Sequence, residues 1–375
     1  MKTFRKVIFW MHLISGATAG VVIFIMCVTG ALLSFERQII EFSERDSRTV
    51  VTGSGSAAIT PQAVLEKVRE ARPDAKPSGI SKTNEPNSAW AVNLGREGQV
   101  YVDPGSGAIL GEGNKSIRNV MSEFRNWHRY VALSGDNRPV GKAITGAANL
   151  LFLFLAISGI YIWFPRNFQW SAVKQVIWFR RGLQGKARNF NWHNTIGFWC
   201  STFLIVFTLT AVVMSYQWAS NLLYTITGNE VPQQQGEGRN APAAEKPYEY
   251  PVDINTAWTA AEQTPGWQSI SLRLPIEKDA AVFTIDEGIY WNIFGRSTLT
   301  SDMNGGVTKW EPYGDQNSGR QLRSWFRFTH TGESFGIIGQ IIGFIACVGG
   351  AFLVWTGFSL ALRRFKNWRT SKVAA

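Results

Sequence analysis

The chain has 375 residues, 45% of them hydrophobic and 13% aromatic, with a net charge of +11, which is room for two or three domains. The charge is unevenly laid out, and this makes a nucleic-acid-binding patch the weaker reading: residues 7–35 and 334–362 carry no charged residue, 23 uncharged residues separate Lys142 from Arg166, and a longer uncharged run follows Arg188. Cys27, Cys200 and Cys347 all fall in these runs, which excludes a disulfide framework and a covalent C-x-x-C-H haem attachment.

About 20 apolar residues cross a bilayer, so four spans are expected, near 7–34, 140–164, 193–217 and 335–361. Residues 2–6, 166–188 and 363–372 together hold 14 Lys or Arg and no acid, while all 27 acidic residues lie in the other two connections. The positive-inside rule then puts both termini and the middle loop in the cytoplasm. The expected layout is a four-helix membrane protein with two periplasmic α+β modules. Its segments are span 1 (1–35), module 1 (36–138), span 2 (139–165), a cytoplasmic loop (166–190), span 3 (191–218), module 2 (219–334), span 4 (335–362) and a tail (363–375). The first run is too long for a signal-peptide core and lacks a small-residue cleavage site, so it reads as a retained span.

In chain order, the first span carries His12, five residues inside uncharged sequence, where an imidazole is costly and points to function. In the first module, Thr60-Pro61 opens a helix as N-cap and first-turn residue. Strands are expected around Trp90–Leu94 and Val100–Val102, with Asp103-Pro104-Gly105-Ser106-Gly107 turning the chain into Ala108–Leu110. Phe124-Arg125-x-x-His128 precedes the second span. The third span opens on Asn191-Trp192-His193. In the second module, a Pro/Gln/Gly-rich linker is expected at 231–251, then a helix over 254–261. Strands follow at 269–274 and 281–285, with a strand, turn, strand pattern over 297–310. Phe326-Arg327-x-x-His330 precedes the fourth span.

The order span, module, span occurs twice, which reads as an internal duplication. His12 and His193 each have Gly four residues later and Thr seventeen residues later. A lone interfacial histidine is ordinarily a hydrogen-bonded side chain. These four are the chain's only histidines and stand in two matched contexts, and together they read as haem ligands. Neutral imidazole is a good iron ligand, and two of them give a low-spin haem suited to electron transfer. Gly16 and Gly197, one turn beyond their histidines, leave backbone for a flat macrocycle to lie against. Depth pairs His12 with His193 as the inner haem site and His128 with His330 as the outer one. Arg125 and Arg327 are placed to pair with haem propionates or an anionic substrate, with Arg129 and Arg323 as weaker candidates.

On these residues, and on the hairpin Val100–Leu110 and the pairs Ser158-Gly159 and Thr356-Gly357, the chain resembles the PepSY-associated transmembrane family of bacterial inner-membrane proteins linked to iron supply. Within it, the resemblance is to the di-haem ferric-siderophore reductase type. It implies b-type haem iron on His12, His193, His128 and His330, and reduction of siderophore-bound iron(III) to iron(II) in the periplasm. The turn Asp302-Met303-Asn304-Gly305-Gly306 departs from the PepSY pattern. No nucleophile or general base is called for. The 25-residue middle loop (166–190) is too short for a dinucleotide-binding unit of ~30 residues, so the electron donor is expected to be a quinol or a separate reductase. Two other classes compete: a non-enzymatic membrane module binding a peptide, protease or iron complex, and a transporter, which the apolar spans disfavour.

Overall fold

The computed structural model describes residues 2–50, 58–164, 169–232, 253–276, 280–288 and 294–373. In chain order the first half gives α1 (Lys2–Leu33), α2 (Glu36–Ser43), α3 (Arg45–Arg48), α4 (Pro61–Ala71), β1 (Gly79–Thr83), β2 (Trp90–Asn93), β3 (Gln99–Val102), β4 (Ile109–Glu112), α5 (Lys115–Tyr130) and α6 (Arg138–Trp163). After α7 (Trp170–Ile177), the second half gives α8 (Gly185–Ser215), α9 (Gln217–Ile226), α10 (Asn255–Glu262), β5 (Ser269–Arg273), β6 (Ala280–Asp286), β7 (Arg296–Asp302), β8 (Val307–Glu311), α11 (Ser318–His330) and α12 (Gly336–Val373). Contacts divide the chain into two compact units. One comprises Met1–Glu36, Val120–Leu223 and Arg323–Ala375, the other Arg37–Asn119 and Tyr224–Leu322.

The first unit is a helical bundle. Thr3–Leu33, Gly135–Trp163, Gly185–Ser215 and Glu333–Thr370 are long and apolar enough to cross a membrane, so the protein is a multi-pass membrane protein. The packed pairs are α1 with α12, α12 with α8, α8 with α6, and α6 with α1. That closes a ring in which α1 faces α8 and α6 faces α12. Lipid supplies no hydrophobic drive between helices, so close approach and polar links carry the packing. A Cβ on Gly20 would come within 2.6 Å of the Phe358 ring, and one on Gly350 within 2.7 Å of Cys27 Sγ. Buried Asn149 donates from Nδ2 to the Thr208 carbonyl at 3.0 Å, and Gln340 from Nε2 to the Ser34 carbonyl at 2.7 Å.

The second unit is one antiparallel sheet of eight strands, in the order β4-β3-β2-β1-β5-β6-β7-β8. Each half of the chain contributes a four-stranded meander, and the two join where β1 pairs with β5, Ser81 opposite Ser271. A four-stranded half alone would leave that edge open to other chains; the pairing removes both edges at once. Helices α4 and α10 cover the sheet. Val64, Leu65, Trp90, Trp258, Ile270 and Phe283 from both halves form one core. Trp90 and Trp258 meet at 4.9 Å between ring centres, a contact worth about 1 kcal/mol beyond its buried area.

Local chemistry explains the element ends. Thr60 caps α4 by accepting from Ala63 N at 3.2 Å. Asp103 Oδ1 accepts from Gly105 N and Ser106 N, closing the β3–β4 turn. Asp302 Oδ1 likewise accepts from Asn304 N and Gly306 N, while Gly305 takes φ 84° between β7 and β8. From residue 233 onward the linker expected at 231–251 lies outside the described residues.

Behind β3, the Glu44 carboxylate is fully buried. It accepts from Tyr101 OH at 2.7 Å, from Asn114 N at 2.8 Å and from both sides of the Arg118 fork at 2.5 and 2.7 Å. Burial pushes its pKa up, but the hydrogen bonds from Arg118 and Tyr101 outweigh this and hold the carboxyl below its ordinary range. The same burial and the bond to Glu44 push the Tyr101 phenol up to about 12. Glu44→Ala strands a guanidinium and a phenol, so we expect a loss of about 3 kcal/mol, read from Trp fluorescence during urea unfolding of the full chain. Because the folded carboxyl titrates below the unfolded one, its stabilisation is complete above the unfolded pKa of ~4 and fades as pH falls through the folded value. Glu44→Gln should flatten that acid limb.

Candidate functional site: four imidazoles in the bundle

Each histidine of the bundle meets a hydroxyl from a neighbouring helix through the same ring nitrogen. His12 Nδ1 lies 2.8 Å from Ser158 Oγ, and His193 Nδ1 lies 2.9 Å from Thr356 Oγ1. His128 Nδ1 lies 3.0 Å from Thr29 Oγ1, and His330 Nδ1 lies 3.3 Å from Thr210 Oγ1.

These contacts set the tautomer. A hydroxyl has one proton to donate, and in each case it is directed to its own helix. Thr29 Oγ1 donates to the Ile25 carbonyl at 2.7 Å, Thr210 Oγ1 to the Val206 carbonyl at 2.9 Å and Thr356 Oγ1 to the Phe352 carbonyl at 2.7 Å. Ser158 Oγ donates to the Leu155 carbonyl at 3.3 Å. Towards the imidazole the three threonine oxygens accept, which in a neutral ring puts the hydrogen on Nδ1 and leaves the lone pair on Nε2. The Phe207 carbonyl, 3.0 Å from His330 Nδ1, is an acceptor only and gives the same answer. Among the described residues no side chain or backbone group hydrogen-bonds an Nε2, and all four rings are oriented from behind, as metal-binding imidazoles ordinarily are.

His128 and His330 come together, with ring centres 6.3 Å apart and planes tilted by 54°. An imidazole nitrogen binds a metal at about 2 Å, so two rings on one ion have centres on the order of 6 Å apart. His12 and His193 are on α1 and α8, which face each other across the ring of helices, and they lie within electrostatic reach of one another.

Glycines lie where three of the rings meet the neighbouring helices, and only at Gly30 is the space tighter than an ordinary Cβ contact. A Cβ on Gly159 would lie 3.5 Å from His12 Cε1, and one on Gly357 at the same distance from His193 Cε1; on Gly30 it would lie 3.2 Å from His128 Cε1. At Gly16 and Gly197 a Cβ would meet only Leu155 and Leu353, at 3.8 and 3.6 Å. Protein packing alone therefore does not require glycine at these two positions.

The arginines diverge. Arg125 forms an ion pair with Glu36, and burial, then the charge of Arg129, lowers its pKa. Arg327 lies over the Phe328 ring at 5.5 Å with no carboxylate in ion-pair reach among the described residues. Arg323 donates from Nε to Ser220 Oγ at 2.9 Å. The oxygen partners were not identifiable as such from sequence. Thr29 and Thr210 show there only as a shared spacing of seventeen residues, and Ser158 and Thr356 only as a hydroxyl residue before glycine.

No individually curated protein matches the chain. The family model for the PepSY-associated TM region matches residues 9–364, which takes in every strand and most of each long apolar helix. The chain belongs to the PepSY-associated transmembrane family.

Proposed function

We propose that the protein is a di-haem b-type reductase of the bacterial inner membrane. It moves single electrons outward to reduce siderophore-bound iron(III) to iron(II) in the periplasm. The observation that carries this reading is the fourfold match of hydroxyl-held imidazoles, with two of the rings at the separation expected for one metal between them. His12 and His193 would hold an inner haem, His128 and His330 an outer one. Gly16 and Gly197 would give the inner macrocycle backbone to lie against, and Arg125 and Arg327 would face propionates. Bound there, haem iron supplies a one-electron couple on each side of the apolar core.

The chain's own groups do the rest. Ser158, Thr356, Thr29 and Thr210 fix each ring's rotation and raise its basicity by accepting from Nδ1. The bundle keeps water from the imidazoles. Each chelated iron(III) takes one electron and becomes iron(II), which hard oxygen donors hold less tightly. A quinol donor would give two electrons and two protons for two such reductions, and a separate reductase would give one electron at a time. The segments rich in Lys and Arg at 2–6, 166–188 and 363–372 support cytoplasmic termini and a periplasmic sheet unit. The paired meanders, and the offsets of 181 residues for His12/His193 and Thr29/Thr210, support an origin by duplication.

Purified from haem-replete cells, the protein should carry two low-spin haems per chain, with a sharp visible band on reduction. His128→Ala or His330→Ala should remove the outer haem and spare the inner; equal loss of both would contradict the pairing. A colourless preparation would leave the non-enzymatic binding module as the reading. Thr29→Val or Thr210→Val removes the acceptor behind one outer ligand. We expect the outer midpoint potential to rise, because a less basic imidazole stabilises iron(III) less, and haem retention to weaken by about 10-fold or more. Redox titration and haem content measure both.

A further inference from the structure

Helix α5 carries a second feature besides His128. A cleft of about 320 Å³ opens between its C-terminal half and the start of α6, lined by Arg125, Arg129, Arg138, Tyr130, Glu123 and neighbouring polar residues. Arg129 lies over the Tyr130 ring at 5.3 Å from its centre, and Arg138 at 4.6 Å. Neither has a carboxylate within ion-pair distance among the described residues, and Glu123 is the only acid in the lining. One ring thus carries two guanidiniums without an ion-pair partner among the described residues.

The cleft is built on a rigid elbow. A Cβ on Gly141 would run into the Tyr130 carbonyl, and Thr145 Oγ1 donates to the Arg129 carbonyl at 2.8 Å. Between the helices, Val131 and Ala132 take φ of 50° and 59°, a conformation that costs a β-branched residue especially and tends to persist at functional sites. The α11–α12 elbow makes the matching approach, Gly339 against the Gly332 carbonyl, without the cations. Residues 129, 130 and 138 are Arg, Tyr and Arg; their counterparts, offset by 202, 202 and 198 residues, are Thr331, Gly332 and Gly336. The elbow therefore forms without this cluster, and packing does not explain it.

We infer that this cleft binds a small, multiply anionic ligand through carboxylate-type oxygens, with Arg129 and Arg138 as the forked donors. If the function proposed above is right, that ligand is an anionic ferric chelate, held within about one helical turn of the outer imidazole that His128 supplies. Arginine gives two parallel hydrogen bonds to a carboxylate, and a ring that fixes the guanidiniums beforehand lowers the ordering cost. A lipid phosphate offers similar oxygens. However, headgroup anchoring uses cations that spread into the interface and needs no cavity, whereas this volume is within the range of small-molecule sites.

The test uses the full chain in nanodiscs and ferric dicitrate, kept in excess citrate, as the multiply anionic probe, with a cationic hydroxamate chelate as control. Binding is followed by calorimetry without reductant, so it reads the cleft independently of electron transfer. Arg129→Gln and Arg138→Gln should each weaken ferric citrate binding about tenfold, leave the hydroxamate unaffected and leave the haem spectrum intact. The Lys variants should recover part of the affinity. Unchanged citrate binding in both Gln variants would overturn the inference. So would an effect confined to phosphatidylglycerol-containing discs, which assigns the arginines to lipid, or loss of the outer haem band, which assigns them to the cofactor. A colourless protein that still binds ferric citrate through these arginines would sink the reductase and keep the anion site.

Discussion

A hydroxyl group has a single proton, and in this bundle the direction it takes governs how each histidine is held. Ser158, Thr356, Thr29 and Thr210 all direct their hydrogen into the preceding turn of their own helix. The threonine oxygens are left to accept, and the neutral imidazoles facing them donate through Nδ1. An unpartnered imidazole within apolar helices is expensive, and half of that cost is met by these bonds. The other half, at Nε2, is met by no protein group among the described residues, and under the proposed function it is met by haem iron.

The same arrangement places the residue after each hydroxyl against a ring. Gly30, Gly159 and Gly357 occupy that place against His128, His12 and His193. Only Gly30 is tight, since a Cβ there would come within 3.1 Å of Cys347 Sγ and 3.2 Å of the His128 ring, while at Gly159 and Gly357 it would make ordinary contact at 3.5 Å. At the fourth position, after Thr210, stands Ala211, and there His330 also bonds the Phe207 carbonyl. The hydroxyl orients each ring, and a small residue beside it lies against the ring's edge.

Much of this layout was legible in sequence, for reasons that differ by feature. Uncharged runs mark spans because charge in hydrocarbon is so costly, and all four appear as helices. Thr60 and the Asp103 turn act within a few residues and were readable locally. The meeting of β1 with β5 was not, since strand pairing across nearly 190 residues leaves no local mark, and the expectation of separate modules gave way to one sheet. Glu44 was equally hidden: an acid beside Arg45 and Asp46 reads as surface until Arg118 and Tyr101 enclose it. For the site, the histidines and the threonine spacing were visible, while the bond between Thr29 and His128 joins residues 99 apart. Periodicity exposes what one helix repeats, and leaves out which helix it faces.

The two halves match where they hold imidazoles and differ in the charge placed around them. Moving 181 residues from Glu36, the carboxylate that neutralises Arg125, leads to Gln217, and Arg327 has no acid in reach among the described residues. The first half instead gathers cations at Arg129 and Arg138 around Tyr130, where the second half has Thr331, Gly332 and Gly336. Under the proposed function, symmetric ligation needs equal hydroxyls, whereas receiving an anion from a single direction needs unequal charge, because an anion approaching two identical cationic faces gains nothing that fixes its position. The hydroxyls are nearly equal and the cations are not. On that reading matched groups hold and unmatched ones orient, and the α5–α6 elbow differs from the bundle's interior in this respect.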